Sequence, residues 1–165
     1  MIYCQGQNEQ KIVRSCREHF TKKALKNVFV ITYERMRKYE GKWHTEKSSL
    51  FPNYIFLESE YPTCLKEELE QYENIFQILG EKNELISISQ EEEGFLRSLC
   101  GEEHHFPMSR GYIQNGCTYV TEGPLRGKES FIYKIDRHKR LARLKVPFTD
   151  GVRDMSMGLE IVSKS

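Results

Sequence analysis

The chain has 165 residues, with 25 Lys and Arg against 24 Asp and Glu, a formal net charge of +1 and a mean hydropathy of -0.64. One or two small domains fit that length and a large enzyme barrel does not, while 38% hydrophobic and 12% aromatic residues exclude wholesale disorder. The near-zero sum conceals a basic, acidic, basic order: 11 cations and 5 anions in 1–57, 3 and 13 in 58–103, then 11 and 6 in 104–165. Two segments are therefore candidate surfaces for a nucleic acid or an acidic protein.

In chain order, Ile2 to Gln5 reads as a short strand, broken by Gly6-Gln7-Asn8, with Asn8 able to cap the helix that follows. Ile12, Cys16 and Phe20 recur every four residues and define the apolar face of that helix, with Lys11, Arg14 and Arg17 turned outward. Val28 to Tyr33 is β-branched and aromatic and reads as one strand. It continues through Glu34–Tyr39 to a turn at Glu40-Gly41 and a hairpin return through Trp43. The most apolar stretch, Leu50-Phe51-Pro52-Asn53-Tyr54-Ile55-Phe56-Leu57, reads as a buried central strand entered through a proline turn.

Leu65, Leu69 and Tyr72 predict a second helix over 63–72, and Ile75–Leu79 and Leu85–Ile88 look like short strands around a turn at Gly80–Asn83. Ser89-Gln90-Glu91-Glu92 has the form of a capping box, so a third helix is expected over about 90–100, burying Phe95, Leu96 and Leu99 and ending at Gly101. Residues 102–110 carry no periodicity and read as a linker. Beyond Gly111, short alternating segments replace the helical period. Ala142, Leu144 and Val146 fall on one face of a strand and Leu141, Arg143 and Lys145 on the other, after a turn at Arg137-His138-Lys139. With turns at Gly123-Pro124 and Asp150-Gly151, about five strands fit, the size of a small SH3-like barrel.

The longest run of strongly apolar residues, Val28 to Ile31, is far short of the ~20 needed to span a bilayer, and the first residues lack the pattern of a secretion signal. A cytoplasmic protein is expected. Its five cysteines, Cys4, Cys16, Cys64, Cys100 and Cys117, are widely spaced with no C-x-x-C pair and read as reduced thiols. Cys100 with His104 and His105 lacks a second ligand pair, so neither a metal nor a cofactor is expected. No histidine has a recognisable orienting partner, and Glu91-Glu92-Glu93 is the acidic first turn of a helix. Gly123-Pro124-Leu125-Arg126-Gly127-Lys128 lacks phosphate-loop spacing. The chain does not read as an enzyme.

Between Arg126 and Lys145 stand Arg126, Lys128, Lys134, Arg137, Lys139, Arg140, Arg143 and Lys145 against only Glu129 and Asp136. Eight cations to two anions is a phosphate-binding density, although a solvated edge would carry the same composition. Arg137-His138-Lys139-Arg140 at a hairpin tip would project together, and arginine forks can pair with phosphates or guanine edges.

These residues resemble the NusG family of transcription elongation factors. Tyr3, the helix Lys11 to Phe20, Val28 to Tyr39 with Gly41-Lys42-Trp43, and above all Leu50 to Leu57 match the family's N-terminal (NGN) domain; Asn115 to Gly127 matches its KOW motif. Within the family, Lys134 to Ala142 is most similar to the specialised LoaP paralogues. The resemblance implies an α+β fold. An NGN α/β sandwich with an antiparallel sheet would occupy 1–101, a linker 102–110, and a small SH3-like KOW β-barrel 111–165. It implies a non-enzymatic, monomeric elongation and antitermination factor. The NGN domain would dock on the clamp helices of RNA polymerase through Phe51 and Tyr54, and less securely Tyr3, Trp43 and the strand around Arg35 and Arg37. The KOW domain would bind a hairpin in nascent leader RNA through Arg126, Lys128, Lys134, Arg137, His138, Lys139, Arg140 and Arg143. For Phe51 and Tyr54, ordinary core packing is the competing reading.

The alternative within the family is a general factor whose KOW domain contacts a ribosomal protein or a termination factor, with Phe148 near the matching position. The relative RfaH has a helical, autoinhibited C-terminal domain. Pro147 and the alternation of 132–146 oppose a helix here. Three departures are Asn53 where the family usually has glycine, Ser130 where the KOW motif commonly has glycine, and Ile2 where tryptophan is frequent. Asparagine tolerates a left-handed backbone, so the first is mild.

Overall fold

A computed structural model describes residues 1–4, 9–72, 85–148 and 151–165. The capping role of Asn8, the strand at 75–79, its turn at 80–83 and the tip at Thr149-Asp150 lie outside the described residues. Chain contacts group the molecule into two compact units, one of 1–31 with 51–88 and one of 32–50 with 89–165.

In the first unit, β1 (Ile2–Tyr3), β5 (Tyr54–Glu58) and β2 (Asn27–Phe29) form an antiparallel sheet with β5 in the centre. Ile55 and Phe56, on opposite faces of this central strand, are both almost fully buried. Helix α1 (Glu9–His19) buries Ile12, Val13 and Cys16, and Phe20 closes the same face one residue beyond its end. Helix α2 (Pro62–Gln71) starts on a proline, whose missing amide costs nothing at that position, and adds Leu65. These side chains share one core with Ile2, Cys4, Ala24, Leu25, Val28 and Ile55. The strand expected at 85–88 is reduced to a single bridge, Leu85 to Ile2, with Met1 and Ile86 exchanging hydrogen bonds beside it.

The single strand expected over 28–33 is two strands in different sheets. Val28, Ile31 and Tyr33 are buried while Phe29, Val30 and Thr32 are only partly so; the inward alternation slips by one residue at Phe29–Val30. A one-residue slip reverses the buried face, so the chain leaves β2 and begins β3 (Thr32–Tyr39) in the second unit. Strand β3 pairs with β4 (Lys42–Ser49) in a hairpin whose two-residue turn, Glu40 at φ 52° and Gly41 at φ 75°, has the primed geometry that matches strand twist.

Helix α3 (Gln90–Cys100) has the full capping box: Ser89 Oγ accepts from the Glu92 amide at 3.2 Å and Glu92 Oε2 accepts from the Ser89 amide at 2.6 Å. It buries Glu92, Leu96, Leu99 and Cys100, with Phe95 only partly covered, and ends at Gly101 with φ 60°. The segment read as a linker carries a 3-10 turn at Gly101–Glu103 and a strand, β6 (His105–Phe106), parallel to β3. Phe106 is fully buried, and His105 Nδ1 shares a hydrogen bond of 2.8 Å with Thr32 Oγ1. Two residues are too few to show a period, which is why sequence pattern missed them.

The remaining strands are β7 (Ser109–Gln114), β8 (Cys117–Glu122), β9 (Ile132–Asp136), β10 (Leu141–Phe148) and β11 (Gly151–Lys164), in the order β8-β7-β11-β10-β9. The first half of β11 runs antiparallel to β10 and the second half parallel to β7, so one strand carries the chain across the sheet. Ala142, Leu144 and Val146 point inward as their alternation requires, toward a core with Met155, Met157 and Leu159. Helices with antiparallel and mixed sheets make the fold α+β. The antiparallel sheet expected over 1–101 is joined, at β3, by the parallel strand β6, and β7 and β11 also pair in parallel.

Candidate nucleic-acid interface and aromatic patch

Tyr3, Phe51 and Tyr54 belong to the first unit and Trp43 to the second. Tyr3 and Tyr54 are backbone partners in the β1–β5 register. Asn53 takes φ 66°, as an asparagine replacing glycine can; its amide donates to Glu9 Oε1 at 3.0 Å and its carbonyl accepts from the Cys4 amide. Those bonds fix the turn that presents Tyr54, which stays partly exposed. Phe51 is 7% exposed and its ring centroid lies 5.6 Å from that of Phe56, so its ring packs in the core. Arg35 and Arg37 on β3 converge on Glu46 of β4 at 3.4 and 3.9 Å, which offsets part of their charge.

The basic residues of the C-terminal sheet divide into three groups. Arg126 and Lys128 lie on the loop after Gly123, where Lys128 Nζ sits 5.7 Å from the Phe95 ring centroid. Glu129 fastens this loop by accepting from the Val120 amide at 3.0 Å. Burial acts to raise the Glu129 pKa, but hydrogen bonds from the Glu129, Val120 and Gly127 amides, with Arg126 nearby, bring the net shift below the ordinary carboxylate value.

The second group is Lys134, Arg137, His138, Lys139 and Arg143 on the β9–β10 hairpin. Asp136 Oδ1 accepts from the Lys139 amide at 3.0 Å and shapes the turn, while Lys134 and Arg143 stand directly opposite each other on the two strands. All five are exposed. Among the described residues none of these four Lys and Arg side chains has an ion-pair partner.

Arg140 stands apart. At φ 51° it ends the turn in the left-handed region, and its guanidinium lies 4.2 Å from the Trp43 ring centroid and 2.8 Å from Glu160 Oε1. Arg110 reaches the other Glu160 oxygen at 3.2 Å. Binding a phosphate would require Arg140 to give up this pair and a ring contact worth about 1–2 kcal/mol. Sequence spacing placed Arg140 with its neighbours; the reversed backbone and the distant Glu160 were not legible from it.

Tyr133 lies beside these residues and was not singled out in the sequence, whereas Lys145 stood in the basic cluster and on the same strand face as Arg143. His105 has partners that were also not foreseen: Thr32, and Glu34 Oε1 at 3.8 Å. They tie β6 to β3. Among the described residues no group of His, Cys, Asp and Glu is disposed to hold a metal, and all five thiols are free. Burial raises the Cys4 and Cys16 thiols to about 12 each.

With this arrangement in view, the family described as transcription termination factor NusG matches residues 1–97. The chain belongs to the NusG family, whose members are non-enzymatic transcription elongation and termination factors that bind RNA polymerase. No curated protein matches the chain. Among the described residues no helix is long and apolar enough to cross a membrane.

Proposed function

We propose that this NusG-family chain is a processive antiterminator of the LoaP kind. It works in the cytoplasm as a monomer without a cofactor. An NGN domain over 1–101 docks on the clamp helices of RNA polymerase, and an SH3-like KOW barrel over 111–165 holds a hairpin of the nascent leader RNA. The observation that carries this reading is the β9–β10 hairpin, where Lys134, Arg137, Lys139 and Arg143 are exposed and lack protein counter-ions among the described residues. A solvated edge has no need to segregate cations from carboxylates, whereas a polyanion site gains from every uncompensated charge.

On the polymerase side, Tyr54, Trp43 and Tyr3 are the proposed contacts, with Phe51 supporting the Tyr54 turn from within the core. Tethering RNA and polymerase to one small chain raises their effective concentration, so modest affinity at each site suffices.

Binding of the full chain to its leader hairpin and to scrambled hairpins, across a salt series, tests the reading. The hairpin should be preferred. Arg137→Ala, Lys139→Ala and Arg143→Ala should each weaken binding and lower the salt slope by about one unit where the contact is to phosphate. Arg140→Ala should act mainly by releasing the turn. Equal affinity for scrambled hairpins would reject the LoaP reading. A general NusG factor with a protein-binding KOW domain then remains, favoured by the half-buried Phe148 beside Val152, which is 65% exposed and pairs with Pro147.

A further inference from the structure

Tyr133 occupies an irregularity in the β9–β10 ladder. Arg143 faces Lys134 and Leu144 faces Ile132, so Tyr133 is the extra residue of a bulge, on a strand at the edge of its sheet. Bulges at sheet edges re-aim side chains. Tyr133 is 46% exposed, and Lys145 Nζ lies 5.1 Å from its ring centroid. Lys134, Arg143 and Lys145 surround it with positive charge that no carboxylate pairs among the described residues.

Charge alone would serve a phosphate backbone. An exposed ring held on one side by an ammonium adds a flat surface that a regular RNA duplex cannot use, because its bases stack on one another and its major groove is narrow. An unpaired base can use it. We infer that Tyr133 is a stacking platform for an unpaired RNA base, with Lys134, Arg143 and Lys145 neutralising the phosphates around that nucleotide. This rests on the reading of the β9–β10 hairpin as an RNA surface and names the part of the RNA it grips: a loop, bulge or splayed end rather than continuous stem. Of the other exposed tyrosines in this unit, Tyr39 stacks on His44 with ring centroids 3.7 Å apart, and Tyr119 stacks on the partly buried Tyr112 at 5.2 Å, on β8 and β7 at the opposite end of the strand order.

The test uses the full chain and three probes: single-stranded oligouridylate, a blunt RNA duplex with the same number of phosphates, and heparin, a polyanion without bases. Tyr133→Leu should weaken oligouridylate binding about fivefold or more, the lower end of base-stacking effects. Duplex and heparin affinities should change by no more than about twofold. Tyr133→Phe and Tyr119→Leu should bind like the wild type. A 2-aminopurine within the oligouridylate should lose fluorescence on binding the unaltered protein, a readout independent of any variant's folding. Unchanged oligouridylate affinity in Tyr133→Leu, an equal loss on all three probes, or no quenching would each overturn the stacking role. If Lys134→Ala and Arg143→Ala weaken binding while Tyr133→Leu does not, stacking alone falls. If the wild type binds neither RNA, or if an acidic polyglutamate competes as well as RNA, the RNA reading falls and this inference with it.

Discussion

Gly123 and Gly116 both sit in the left-handed region, at φ 89° and 78°, yet they should respond differently to a methyl group. A Cβ on Gly123 would lie 2.6 Å from Ser109 Cα and 2.7 Å from its Oγ, the atom that accepts the Leu125 amide, whereas a Cβ on Gly116 meets nothing within 4 Å. Gly116→Ala should cost about 1 kcal/mol for its backbone alone. Gly123→Ala should cost about 2 kcal/mol or more, read as a lower urea midpoint with unchanged slope. The buried thiols give a second prediction at this scale. Cys4 and Cys16 are held at about 12 in the folded chain against about 9 when unfolded, so the folded state keeps protons that the unfolded state releases. Their contribution is fully present below pH 9 and is lost as pH rises toward 12, with stability falling by about 1.4 kcal/mol per pH unit per thiol in that window. Alkylation at neutral pH should label exposed Cys117 first and leave Cys4 and Cys16 intact; rapid native labelling of either would contradict their burial.

Among the elements, α3 was the most legible because its start is a local event: Ser89 and Glu92 lie three residues apart and their two hydrogen bonds need no tertiary partner. Ser89→Ala should therefore destabilise by about 1 kcal/mol, and Glu92→Ala added to it should cost less than the separate effects combined, since the two side chains form one reciprocal cap. The β3–β4 turn was legible for the same reason, its Glu40-Gly41 pair sitting at the tip of one local hairpin. Non-local pairing was hidden. Composition could not show that 28–33 divides between two sheets, that His105–Phe106 joins β3, or that β7 lies parallel to the far end of β11, because each depends on a strand distant in sequence. Residues 132–146 form strands β9 and β10, as Pro147 and the alternation of Ala142, Leu144 and Val146 indicated.

At the scale of the whole molecule, the candidate RNA residues were legible as a density of charge but not as a surface. Arg140 turns to Trp43 and Glu160 and Lys128 lies over Phe95, while the β9–β10 hairpin gathers Lys134, Arg137, Lys139 and Arg143 without an ion pair among the described residues, beside Tyr133. Likewise the aromatic motif was visible, but only packing separates Phe51, against Phe56, from the partly exposed Tyr54. The net charge of +1 thus arises from an acidic middle between basic ends, and it does not weigh against a polyanionic partner. Under the proposed function, a basic hairpin couples an RNA signal to polymerase processivity. Transcription through a terminator, on templates with and without the leader hairpin, measures that coupling directly. Readthrough is expected only when the hairpin is encoded, falling to the level without factor when Lys134, Arg137, Lys139 and Arg143 are replaced together by alanine. Readthrough that ignores the hairpin, or that survives those four replacements, would contradict it.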